Sequence, residues 1–230
     1  MQKLKENILQ SKKKKCLIIF GVAIFILLSI WMNNTNVFYT GGEDYKILAH
    51  RGLAQTYDPS RAGWDTNTAE IINKPEYPYL ENTIDSMQVA FDYGADIVEF
   101  DVKLSKDNIL AVFHDSTLEY RTDGKGEVGD YTMDELRKLD IGYGYTADNG
   151  CTFPFRGKGV GLMPSIDEVF ASFPDKEFLI DVKDGNLKTY EVLWDYLNKM
   201  PKERLAQITV YGGENYNGYV WTNRVDIINN

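Results

Sequence analysis

Two histidines occur in the 230-residue chain, and each directly follows an apolar strand-like run: ILAHRG ends on His50 and AVFHDS on His114. A histidine is most often a surface or satisfied core residue, but two out of two at strand ends, each beside a charged neighbour, is not that pattern. Between them lies VEFDV, residues 98–102. Side chains of a strand alternate faces, so Glu99 and Asp101 point one way while Val98, Phe100 and Val102 point the other. Two carboxylates on one face repel unless a cation or proton lies between them, and a hard divalent cation with oxygen ligands resolves this most simply. An edge strand with its polar face in water would satisfy the same alternation. FLIDVK, residues 178–183, repeats the pattern: Asp181 and Lys183 share a face, the first as a further oxygen ligand and the second as a partner for an anion held by the metal.

The elements that must position these residues read as an alternation of strands and helices, which predicts an α/β fold with a mainly parallel sheet. A strand KILAH precedes an irregular excursion over Ala54 to Tyr79. Asn82 or Thr83 caps a helix, TIDSMQVAFDYG, with Ile84, Met87 and Phe91 on one side. Strands follow at Asp96 to Val102 and Ile109 to His114. The link KLSKDN is too short for a parallel crossover, so the pair reads as an antiparallel hairpin with its turn near Lys106 to Asn108. Pairing Leu104 with Ile109 would set Glu99 opposite His114. Further helices are expected at MDELRKL (capped by Thr132), SIDEVFASF (capped by Ser165) and LKTYEVLWDYLNKM, with strands at EFLIDVK and QITVYG and a last apolar run GYVWTNRVDII.

The first forty residues differ from the rest. Lys12 to Lys15 precede CLIIFGVAIFILLSIWM, which carries no charge. The expected organisation is a basic cytoplasmic segment (1–15), a membrane anchor (16–38), a linker (39–45) and one domain (46–230). By the positive-inside rule the lysines stay cytoplasmic and the domain faces outward. A cleaved signal peptide is the competing reading. Against it stand the length of the apolar run and the lack of a small-x-small pattern in SIWMNN. Residues 1–15 hold six Lys and one Glu, leaving 19 basic against 33 acidic side chains in the remainder. So acidic a domain argues against nucleic acid as a partner. Cys16 and Cys151 fall on opposite sides of the anchor boundary, which excludes an internal disulfide and leaves Cys151 as a buried or incidental thiol. RGKGVG lacks a preceding strand and is followed by Pro164, so it does not read as a nucleotide-binding loop.

Taken in order, AHRG with a later ENT, GADIVEFDV, KDNILAVFHD, YRTDGKG and a downstream Asp-x-Lys strand make the chain resemble the glycerophosphodiester phosphodiesterase family from about Lys46 to Gly185. The resemblance implies a TIM-type (β/α)8 barrel with its site at the C-terminal ends of the strands. It implies His50 and His114 as general acid and base, Arg51 and Lys183 as phosphate-binding groups, and Glu99, Asp101 and Asp181 as ligands of Ca²⁺ or Mg²⁺. Glu81, in the ENT turn, would support the site. The implied activity is hydrolysis of a glycerophosphodiester to glycerol 3-phosphate and an alcohol. A lysophospholipase-D-like activity and a non-catalytic metal- or phosphodiester-binding member are the alternatives.

Two departures are visible. The family usually carries Glu-x-Lys where this chain has Asp181, one methylene shorter. About 180 residues follow His50, whereas such barrels need about 200 or more. The expectation is a barrel shortened in its C-terminal part, by truncation or internal deletion, with GYVWTNRVDII as a closing strand.

Overall fold

The structure is a computed structural model that describes residues 2–34, 45–63 and 65–212. The chain divides into two compact units, Met1–Tyr45 and Lys46–Asn230.

The first unit is a single helix, α1 (Gln2–Asn34). It begins well before the expected boundary at Cys16, so the lysine tetrad and the apolar run form one continuous helix. The 20-residue stretch Lys13–Met32 is long and apolar enough to cross a membrane, a criterion that a signal sequence also meets. The end of the expected anchor and the linker up to Asp44 lie outside the described residues.

In the second unit, five strands form one sheet: β1 (Leu48–His50), β2 (Ile97–Leu104), β3 (Leu110–Val112), β4 (Glu177–Val182) and β5 (Ile208–Gly212). The order β1-β2-β4-β5 is parallel throughout, and β3 pairs antiparallel with β2. The connecting helices are α2 (Ile84–Asp92), α3 (Met133–Leu136), α4 (Ile166–Ser172), α5 (Leu187–Leu197) and α6 (Lys202–Leu205). Four parallel strands are seen among the described residues, against the eight of the expected barrel. The expected closing strand, Gly218 to Ile228, falls outside them.

Local sequence chemistry accounts for the helix starts. Thr83, Thr132 and Ser165 each accept a hydrogen bond from the third helical N–H, and the residue at that position bonds back to complete a capping box. Thr83, not Asn82, is therefore the cap of α2.

The hairpin corrects the expected register. Leu104 pairs with Leu110 rather than Ile109, and Val102 with Val112. Three residues, Lys106 to Asn108, form the loop. Asn108 adopts a left-handed φ of 61°, which Asn tolerates better than most residues. The Ser105 hydroxyl and carbonyl accept from Ile109 and Asn108 N–H respectively, fixing that loop length. Asp101, through its carbonyl, then meets Phe113 N–H, and the anticipated placement of Glu99 opposite His114 is lost. Cys151 is exposed rather than buried.

The alternation in β2 and β4 divides the sheet cleanly. Val98, Phe100, Val102, Phe178, Ile180 and Val182 enter the main core, packed by α2, α4 and α5. A second core joins residues of the excursion after β1, such as Ile72 and Leu80, to the segments after β3, including Phe113, Leu118, Met133 and Tyr145. Phe100 is fully buried and meets Phe178 edge-on at 5.4 Å and Phe170 at 6.2 Å. Phe100→Ala is expected to lower unfolding free energy by about 3–5 kcal/mol, measured by urea titration of the purified protein. A loss below about 1 kcal/mol would mean this face is not the packed one.

Candidate active site

The polar face of the sheet gathers the site at the C-terminal ends of three strands. His50 ends β1 and is the parallel-strand partner of Glu99 on β2. Asp101 on β2 and Asp181 on β4 are likewise partners. The three carboxylates are buried, and one oxygen from each lies within 4.8 Å of the others.

A turn after β1 aims Arg51 at this cluster. Arg51 and Gly52 both take left-handed φ, 61° and 74°. The Arg51 N–H donates to the Glu99 carbonyl at 2.9 Å and also to Glu99 Oε2 at 3.1 Å. The Arg51 carbonyl accepts from Asn82 N–H at 3.0 Å. A Cβ at residue 52 would lie 2.7 Å from the Ser86 carbonyl carbon, so glycine lets the turn close onto the start of α2. The guanidinium then spans two acids: Nη1 lies 2.9 Å from Glu81 Oε1 and Nε 3.3 Å from Asp101 Oδ2.

Each carboxylate is held separately. Asp101 Oδ2 accepts from Asn82 Nδ2 at 2.8 Å, while buried Oδ1 accepts no hydrogen bond and faces Lys183 Nζ at 3.5 Å. Lys183 Nζ also contacts Asp181 Oδ2 at 2.5 Å. Glu99 Oε1 accepts from the Tyr211 hydroxyl at 3.1 Å, and Oε2 lies 3.8 Å from His50 Nε2. His114 Nδ1 meets Asp115 Oδ1 at 2.8 Å, and Asp115 Oδ2 in turn faces Arg121 Nε at 2.6 Å.

Electrostatics follow from this crowding. Burial, reinforced by the Asp101 charge, raises the Glu99 carboxyl to about 8. Burial and the neighbouring Arg51 lower His50, and His114 is near enough to add to that lowering. Burial pulls Lys183 down, but Asp101 and Asp181 outweigh it and hold the ammonium above its ordinary value. An acidic group with one oxygen that accepts no hydrogen bond and a carboxyl displaced towards its neutral form is suited to a hard divalent cation with oxygen ligands.

Every site residue expected from the sequence lies in this region. Glu81, expected as a support from the ENT turn, pairs with both Arg51 and Arg121. Asn82 is marked in the sequence only as a possible helix cap, and Asp115, Arg121 and Tyr211 are not singled out there as site residues. Asn82 and Asp115 adjoin expected residues in ENT and FHDS, and Arg121 stands in YRTDGKG. Tyr211 had only strand alternation to mark it.

The sequence profile described as the glycerophosphoryl diester phosphodiesterase family matches residues 50–227. The chain belongs to that family. Among relatives of this phosphodiesterase-family chain is the glycerophosphodiester phosphodiesterase of Caldanaerobacter subterraneus subsp. tengcongensis, 39% identical over 54% of this chain and 47% of the relative. Human lysophospholipase D is 30% identical over 60% of this chain and 42% of its own. The family chain therefore spans about half the length of these curated relatives. Its fold resembles the glycerophosphoryl diester phosphodiesterase domain of a Mycobacterium tuberculosis protein, with TM-score 0.55, 20% identity and coverage of 80% of this chain and 57% of that one. It also resembles an Oleispira antarctica phosphodiesterase solved with the product sn-glycerol-3-phosphate, with TM-score 0.51, 20% identity and coverage of 80% and 62%.

The raised Glu99 carboxyl has a definite consequence for pH. A group whose folded value lies above its unfolded value of 4.5 contributes stability that is present below 4.5 and lost as pH rises through about 8. In EDTA, Glu99 should therefore lower the Tm as pH rises from about 5 to 8. A divalent cation competes with the Glu99 proton and should raise the Tm more at pH 8 than at pH 6. Equal increments at both pH values would mean that the cation does not displace the Glu99 proton.

Proposed function

We propose that the chain hydrolyses glycerophosphodiesters to glycerol 3-phosphate and an alcohol. The observation that carries this reading is the buried Glu99, Asp101 and Asp181 cluster, with His50 beside Glu99 and Arg51 beside Asp101. Family membership supports it.

Glu99, Asp101 and Asp181 would hold Ca²⁺ or Mg²⁺. When bound, the cation supplies charge neutralisation at the phosphoryl oxygens. Arg51 and Lys183 bind the anionic phosphodiester and stabilise the charge that develops as the phosphorus is attacked. One imidazole removes the proton from the attacking glycerol hydroxyl while the other protonates the departing alkoxide, releasing the alcohol. Water then opens the cyclic phosphate with the two roles exchanged, regenerating both imidazoles. Asp115 restrains the His114 ring through Nδ1, leaving Nε2 as the nitrogen that exchanges the proton.

A second reading is favoured by two observations: the similarity to human lysophospholipase D and the apolar stretch Lys13–Met32. A chain held in a membrane would reach a lysolipid headgroup without extracting its acyl chain. The same helix, in which Lys12 to Lys15 stand at the start of the apolar stretch, is proposed to keep the N-terminus cytoplasmic and residues 46–230 outside.

The full chain in detergent should release glycerol 3-phosphate from glycerophosphocholine when Ca²⁺ or Mg²⁺ is supplied, and EDTA should stop it. His50→Ala or His114→Ala should lower kcat by about 10²–10⁴-fold. Release of choline and lysophosphatidic acid from lysophosphatidylcholine, with no turnover of glycerophosphocholine, would select the second reading. Cation binding without turnover on any diester would sink both.

A further inference from the structure

The reaction outlined above makes no use of Arg121, yet its buried side chain joins the two sides of the site. Nη1 lies 3.0 Å from Glu81 Oε2 and donates to the Tyr145 hydroxyl at 2.6 Å. Nη2 donates to Thr68 Oγ1 at 2.7 Å, and Nε lies 2.6 Å from Asp115 Oδ2. The second oxygens of the two acids face the proposed reacting groups. Glu81 Oε1 takes Arg51 Nη1 at 2.9 Å, and Asp115 Oδ1 meets His114 Nδ1 at 2.8 Å. His114, Asp115, Arg121, Glu81 and Arg51 thus form one chain in which acid alternates with base.

We propose that Arg121 is a positioning residue that fixes His114 as the Nδ1–H tautomer through Asp115 and orients Arg51 through Glu81. This rests on the proposed function only in taking His114 and Arg51 as the groups being positioned. The forked geometry is the reason an arginine is needed: three nitrogens reach four partners at once, which the single ammonium of lysine does not reproduce. The tautomer follows from charge. Burial pushes the Asp115 carboxyl up, but Arg121 and His114 outweigh it and bring it down to about 2. An ionised Asp115 accepts only, so the ring nitrogen facing it carries the proton and the other presents a lone pair. Arg121 itself is held well above its ordinary value, since Glu81, Tyr145 and Asp115 more than offset burial.

The chain's two histidines make a direct test possible. In ¹⁵N-histidine spectra of the full chain in detergent at alkaline pH, wild-type His114 should show one Nδ1–H tautomer. R121K and R121M should show a tautomer mixture at His114. A wild-type Nε2–H tautomer, or a folded R121M that keeps a single Nδ1–H form, would overturn the proposal. Loss of folding in R121K as well as R121M would make Arg121 a structural residue and overturn it too. R121K is further expected to lower kcat/KM on glycerophosphocholine about 10–100-fold, with circular dichroism unchanged. Failure of the wild type to turn over refutes the proposed function alone, because the tautomer measurement needs no substrate.

Discussion

Three carboxylates within 4.8 Å of one another, on the buried face of a parallel sheet, set the terms for everything around them. At an effective dielectric near 20, two full charges at that separation repel by about 3.5 kcal/mol. Nothing in the alternation of β2 and β4 relieves this, because the same alternation buries Val98, Phe100 and Val102 on the opposite face. Core and site are two faces of the same strands. Packing of Phe100 and Phe178 therefore fixes where Glu99, Asp101 and Asp181 must stand, and the relief has to come from cations and donors carried by other segments.

Those segments reach the cluster by different routes. Arg51 arrives through a turn with two consecutive left-handed residues, a conformation that costs a non-glycine residue of order 1 kcal/mol or more. The turn is over-determined by hydrogen bonds to Glu99 and from Asn82, so the strain persists. Lys183 follows directly from the end of β4, and Tyr211 comes from β5, beyond Asp181 in register. Each supplies a donor or charge that the carboxylates need, and each depends on a different strand pairing.

Much of this was legible in sequence where the determinant is local. Period-two alternation places Glu99 with Asp101 on one face, and single capping residues mark the starts of α2, α3 and α4. What stayed illegible depends on contacts far apart in the chain. The hairpin register is one residue from expectation because Ser105 and Asn108 form a three-residue loop, a choice that hydrophobic pattern alone does not fix. The Tyr211–Glu99 bond spans 112 positions. Arg121 reads as one basic residue in a polar loop until the fold sets Glu81 and Asp115 on either side of it. The barrel expected from family resemblance is represented by four parallel strands among the described residues, and the helix at the N-terminus is longer than its apolar core because the lysines before it are also good helix formers.

Arg51 is where the two electrostatic systems meet. On the sheet side its Nε faces Asp101, inside the carboxylate cluster. On the loop side its Nη1 faces Glu81, which belongs to the Arg121 network. A lysine in its place would carry the same charge to one acid and leave the other without its partner, since an ammonium offers a point and not a fork. Two acids in different segments thus orient one planar cation, and that cation pairs with both of them. The site's geometry is a consequence of charge pairing across segments that the apolar face of the sheet holds in register.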